Sequence, residues 1–83
     1  MSHNLESLRA AVAAAIAGAH EGRGELSTVE QPVEAFAKAR RLAGTPVTDV
    51  VVEVKALLRE HAGQHAWPFS PSVVAWTLAG YYS

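Results

Sequence analysis

Two histidines late in the chain, His61 and His65, stand four residues apart, a spacing that lets two imidazoles share a metal ion on one helix face. Glu60 comes directly before them and could add a carboxylate. However, Gly63 lies between them, where a helix is expected to end, and two histidines do not complete a tetrahedral site. We therefore predict no metal site and no cofactor. Whether His61 and His65 bind a metal with a third ligand such as His3 stays open.

Side chains suited to catalysis are present but not grouped. The chain has no cysteine, and it shows no nucleophile beside a base, no phosphate-binding glycine loop and no converging pair of carboxylates. Four glutamates are spread over a loop and a solvated helix face: Glu21, Glu25, Glu30 and Glu34. This pattern predicts a protein that is not an enzyme.

The stretch AHEGRG, residues 19–24, places Arg23 and Gly24 three and four residues after His20. This trio resembles the signature of histidine phosphotransfer domains, in which Lys and Gly follow a phosphorylatable histidine at these distances. The resemblance covers six residues and implies a signalling protein that carries a phosphoryl group on His20. The preferred interpretation is structural, because a histidine at a helix end can act as a cation beside the last carbonyl groups.

The stretch ARRLAGTPVTDVVVEV, residues 39–54, has the outline of a helix-turn-helix. A DNA-binding regulator is therefore a second alternative. Three positions depart from that motif, since Arg40 stands where a small residue belongs, and Thr45 and Glu53 stand where apolar residues belong. Valines 51 and 52 would begin the reading face and offer no donors to base edges. Two bundle helices joined by a short loop are the favoured interpretation.

Composition limits the protein class. The 83 residues are enough for one domain, 1–83, whose alanine-rich core would be thin, so oligomerisation could add stability. A net charge of −1, with both signs mixed, is not typical of a nucleic-acid-binding surface. The most apolar stretch, AAVAAAIAGA at 10–19, is half the length of about 20 residues that a membrane span needs. We expect a cytoplasmic protein with no membrane or nucleic-acid partner.

Hydrophobic spacing predicts an all-α domain of four short amphipathic helices, at about 4–21, 30–43, 46–62 and 71–82. The first should bury the stripe of Leu5, Leu8, Val12, Ala15, Ile16 and Ala19. The second should begin between residues 28 and 32, with Pro32 best placed as its first residue, and should bury Val33, Phe36, Ala37 and Leu42. Gly44 is its expected terminator.

The valine-rich third segment could be mistaken for a strand. Thr45 and Pro46 form a cap followed by a first-turn proline, and the apolar residues that follow keep helical spacing, so the pattern favours a helix that Gly63 ends. We predict a core of Val50, Val51, Val54, Leu57 and Leu58.

The fourth helix, with Ser70 as cap and Pro71 as first residue, belongs to a segment without charge. No Asp, Glu, Lys or Arg occurs after Glu60, and a helix without a charged face is normally buried on most sides. One small bundle can hardly cover it all. We therefore predict a non-enzymatic interaction or regulatory module that self-associates, as a homodimer, or binds another protein. The expected contact residues are Trp67, Phe69, Trp76, Tyr81 and Tyr82.

Overall fold

The computed structural model describes residues 5–20, 26–63 and 70–83. Its elements are α1 (Leu5–His20), a 3₁₀ helix (Leu26–Val29), α2 (Glu30–Leu42), α3 (Val47–Ala62) and α4 (Ser70–Tyr81). No strand occurs within the three described ranges. The all-α prediction is confirmed, and every helix limit lies within one residue of its predicted position.

The valine-rich segment forms the helix α3. Its buried residues, Val50, Val54, Leu57 and Leu58, repeat at three- and four-residue spacing, while Val52 is 67% exposed. Val51 is only half-buried, so its assignment to the core was wrong. Successive helical residues are rotated by about 100°, and Val51 therefore falls at the margin of the stripe that Val50 and Val54 define.

Gly44 ends α2 as predicted, with a φ of 87° that other residues rarely adopt. Its N–H donates to the Arg41 carbonyl at 2.9 Å, and the Thr45 N–H donates to the Arg40 carbonyl at 3.0 Å. These two bonds are those of a Schellman motif. The turn thus satisfies carbonyl groups that the end of α2 would otherwise leave without partners.

The start of α3 differs from the prediction. Pro46, and not Thr45, holds the N-cap position, and the cap makes no side-chain hydrogen bond. The Pro46 carbonyl accepts the N–H groups of Asp49 and Val50, which begins the helical hydrogen-bond pattern. Thr45 is already the closing residue of the preceding turn, so its cap role was wrong.

In α2, the predicted face of Val33, Phe36 and Ala37 is buried. Pro32 occupies the third helical position and not the first, which costs no hydrogen bond because the first four N–H groups have no partner within a helix. Leu42 is 79% exposed and does not join the core. It is the last residue of α2, at the end of the helix.

A single hydrophobic cluster joins every element. Of the predicted stripe on α1, Val12 and Ile16 are fully covered, and the other four residues are half-buried. The buried residues of the cluster are Val12, Ile16, Val29, Val33, Phe36, Ala37, Val50, Val54, Leu57, Leu58, Ala62 and Val73. The radius of gyration, 11.6 Å, matches the ~12 Å expected for a folded chain of this length.

Helix α4 packs mainly on α2 and also on α3, and hardly on α1. Its buried residues Val73, Thr77 and Gly80 lie on one face, and the Thr77 hydroxyl donates to the Val73 carbonyl at 2.8 Å. The lack of charged residues predicts burial of α4 on most sides. Instead, the backbone of α2 meets that of α4 at Gly80, where no side chain separates them, and only one face of α4 is covered.

Candidate functional site

The uncovered face of α4 carries exposed, uncharged side chains. Pro71, Ala75, Leu78, Ala79 and Tyr82 are exposed, with Leu78 at 39% and Tyr82 at 65%. Tyr82 directly follows the last helical residue, yet its N–H still donates to the Leu78 carbonyl at 3.0 Å, so it keeps a helical position. We call these five residues the α4 outer face. It offers apolar contact and one phenol, and it contains no Asp, Glu, Lys, Arg or His.

The predicted contact residues do not all lie on this face. Trp76 and Tyr81 are half-buried and pack against the core cluster. Tyr82 is exposed on the α4 outer face. Trp67 and Phe69 lie outside the described residues.

The C-terminal end of α4 is held by the end of α2. The Arg41 guanidinium donates from Nη1 to the carbonyl oxygens of Tyr81, at 3.1 Å, and Ser83, at 3.0 Å. The Tyr81 hydroxyl donates to the Thr45 carbonyl at 2.8 Å. These bonds tie α4 to the α2–α3 turn, so that Leu78 and Tyr82 stand on a supported helix.

The ring of Tyr82 is placed by its neighbour. The Tyr81 and Tyr82 rings meet edge to face, with centroids 5.0 Å apart and planes inclined by 75°. Such pairs contribute about 0.5–1.5 kcal/mol beyond the area they bury. Tyr81 is anchored through its hydroxyl, and it therefore restricts the orientations open to the exposed Tyr82 ring.

A second polar group of residues joins α2 and α3. Arg40 donates to Glu53 through Nε, at 2.9 Å from Oε1, and through Nη2, at 2.7 Å from Oε2. The Arg40 guanidinium carbon also lies 5.6 Å from the centre of the Phe36 ring, and Arg9 of α1 lies 3.8 Å from the same carboxylate. Glu53 is thus occupied by two cations, which makes this cluster a link between three helices.

A groove of about 520 Å³ runs between α1 and α3. Its floor is apolar, with Ala10, Ala13 and Leu57, and its rim mixes acidic and basic side chains, among them Glu6 and Arg9. The groove is broadly open to solvent, whereas small-molecule sites bury most of their ligand. None of the polar side chains that line its described part is buried.

Phosphotransfer at His20, DNA binding through residues 39–54 and metal binding by His61 and His65 stay predictions. His20 is an exposed last residue of α1, as predicted. Both arginines that DNA binding through residues 39–54 would use, Arg40 and Arg41, donate to groups of this chain. Among the residues with described positions, no group of three or more histidines and carboxylates could hold a metal ion, and His65 lies outside them.

Known proteins give no guide to this site. A comparison of the chain with protein-family models, curated proteins and solved structures found no match. None of the helices in the described part of the chain has the length and apolar character needed to cross a membrane.

Sequence reasoning singled out the aromatic rings of the last segment and missed Leu78. The prediction considered the composition of the segment and not the position of each residue around the helix axis. Leu78 lies four residues before Tyr82 and three after Ala75, so these three share one face, while Val73, Thr77 and Gly80 share the opposite one. The sequence contains that spacing, but it does not say which face a neighbour covers.

Proposed function

We propose that the protein is a non-enzymatic helical interaction or regulatory module that binds a protein, either a second copy or another chain, through the α4 outer face. The observation that carries this proposal is the exposure of Leu78 and Tyr82 on a helix without any charged residue. Scattered apolar side chains are normal on protein surfaces, but here they follow one another along a single face. Aromatic and large aliphatic side chains in such a row are typical of contact surfaces.

The surroundings of α4 support this role. Arg41 and Tyr81 hold its C-terminal end, so a partner would meet an ordered surface and lose less entropy on binding than with a loose helix. Leu42, also highly exposed, directly follows Arg41, whose side chain donates to the carbonyl of Ser83 just beyond Tyr82. A partner could therefore extend its contact from α4 onto the end of α2.

Five polar side chains of the described residues are engaged in contacts within the fold, which supports a binding role over a catalytic one. Arg40, Arg41, Glu53, Thr77 and Tyr81 each bond to another group of the chain and stabilise its fold. We propose the cytoplasm as the compartment because the chain contains no cysteine and so gains nothing from an oxidising environment.

The test is site-specific photo-crosslinking in the cells that make the protein. A photoreactive amino acid replaces Leu78 in one variant and Ala14, an exposed residue of α1, in a matched control. We expect covalent protein adducts from position 78, identified by mass spectrometry, and none from position 14. Equal adduct yields at the two positions, or none at either, would contradict the proposal.

A further inference from the structure

The α4 outer face has the residue spacing of a helix–helix seam. Pro71, Ala75, Leu78 and Tyr82 are separated by four, three and four residues, and all four are exposed. Apolar residues at alternating three and four spacing line the contact between two packed helices. A partner that presents a helix of its own would therefore fit this face along its whole length.

The charge of the face favours a second copy of this chain over a charged partner. No Asp, Glu, Lys or Arg follows Glu60, so two copies of α4 can meet without placing like charges together. A surface that selects an acidic or basic partner needs charges of the opposite sign, and the α4 outer face has none. The net charge of −1 adds little repulsion between two whole chains.

Side-chain size then selects the direction of packing. With the two helices antiparallel about a two-fold axis level with residues 76 and 77, Ala75 faces Leu78 of the second copy and Pro71 faces Tyr82. Each large side chain meets a smaller one, as close packing requires. In a parallel pair, Leu78 would face Leu78 and Ala75 would face Ala75, which crowds one level and leaves a gap at another.

We infer that the partner of the α4 outer face is a second copy of this chain, and that the two α4 helices pack antiparallel in a two-fold symmetric dimer. This inference rests on the proposed function and adds to it the partner and the orientation. In such an isologous contact each residue pair occurs twice, once on either side of the axis.

Disulfide trapping tests both parts, because the chain has no cysteine and any introduced thiol is unique. The first test mixes Ala75→Cys chains with Leu78→Cys chains, whose thiols face each other in the antiparallel pair, and its control mixes Ala14→Cys chains with Leu78→Cys chains. In a glutathione redox buffer, we expect the mixed dimer of Ala75→Cys and Leu78→Cys to form at least ten times faster than the mixed dimer of Ala14→Cys and Leu78→Cys. Equal rates would overturn the second-copy inference, and the photo-crosslinking result would still decide the proposed function independently.

The second test decides the orientation. Pro71→Cys and Tyr82→Cys chains are mixed in equal amounts, and the three disulfide dimers are separated by their masses. Antiparallel packing predicts at least ten times more of the mixed dimer than of either symmetric one. An excess of the symmetric Tyr82→Cys dimer would indicate parallel packing and overturn the orientation. The statistical ratio of about two mixed to one of each symmetric dimer would overturn it as well.

Discussion

Gly18 and Gly80 both lie inside helices, but only Gly80 touches the backbone of another helix. A Cβ at position 80 would fall 2.6 Å from the Glu34 Cα and closer still to the Glu34 carbonyl oxygen, whereas a Cβ at position 18 meets no atom within 4 Å. Gly80 therefore sets how closely α4 approaches α2. Gly18 contributes only its backbone flexibility, which weakens a helix.

Opposite effects on stability are expected when each of these glycines is changed to alanine. Gly80→Ala must push α4 away from α2, and overpacking of this kind lowers the free energy of unfolding by about 1–3 kcal/mol. Gly18→Ala should raise it by about 0.5–1 kcal/mol. Urea unfolding followed by circular dichroism measures both. A Gly80→Ala protein as stable as the original would show that the close crossing of the two helices is wrong.

At the scale of the element, the sequence predicts α3 well because its signals are local. Helical spacing of Val50, Val54 and Leu57, with Gly44 and Gly63 at the two ends, determines the element without knowledge of its neighbours. Local signals do not predict which helix of the same chain packs against α4. This packing depends on a contact between Gly80 and Glu34, which are far apart in the chain, and no periodicity within either helix encodes it.

The sequence shows that α4 carries no charged residue, but it does not show which face of the helix is exposed. Absence of charge predicts a helix that is buried on most sides, whereas the structure buries one face and exposes another. The absence of charge did not separate Trp76, which packs against the core, from Leu78, which is exposed, since both are simply apolar in the sequence. That distinction required the direction from which α2 and α3 cover the helix.

Helix α2 carries a pair of like charges, Glu30 and Glu34, four residues apart. The pKa of Glu34 is raised above its ordinary value of 4.5, first by loss of hydration and then by a hydrogen bond and charge repulsion from Glu30, one turn earlier. A raised pKa means that the folded protein binds this proton more tightly than the unfolded chain. The stabilising contribution is therefore present below pH 4.5 and is lost as the pH rises through the folded-state pKa.

Glu30→Gln should remove the charge repulsion between residues 30 and 34 that acts at neutral pH. The substitution removes the neighbouring charge, and its amide can donate to the Glu34 carboxylate, so the pKa of Glu34 should fall toward its ordinary value. We expect a higher melting temperature than the original at pH 7, and a difference that shrinks as the pH is lowered below 4.5. Carbon-detected NMR titration of Glu34 reports the pKa directly. Glu60→Gln, at an exposed position of α3, is the control and should leave that pKa unchanged.

At the scale of the whole molecule, the small core limits the stability of the single chain, and covering the α4 outer face would increase it. A domain of this size buries only about 60% of the surface of its unfolded chain and is correspondingly marginal in stability. Covering Leu78 and Tyr82 with a second copy would add buried apolar area that the single chain lacks. If folding and association are coupled in this way, stability must depend on protein concentration.

Thermal unfolding at several protein concentrations measures that dependence. We expect the melting temperature of the original protein to rise by several degrees between about 1 and 100 μM, because mass action favours the dimer. Leu78→Glu buries an unpaired charge against Ala75 of the second copy in the seam and should remove the dependence. Ala14→Glu adds the same charge to an exposed position of α1, which hardly contacts α4, and should keep it. A melting temperature independent of concentration in the original protein would mean that α4 gains no partner from a second chain.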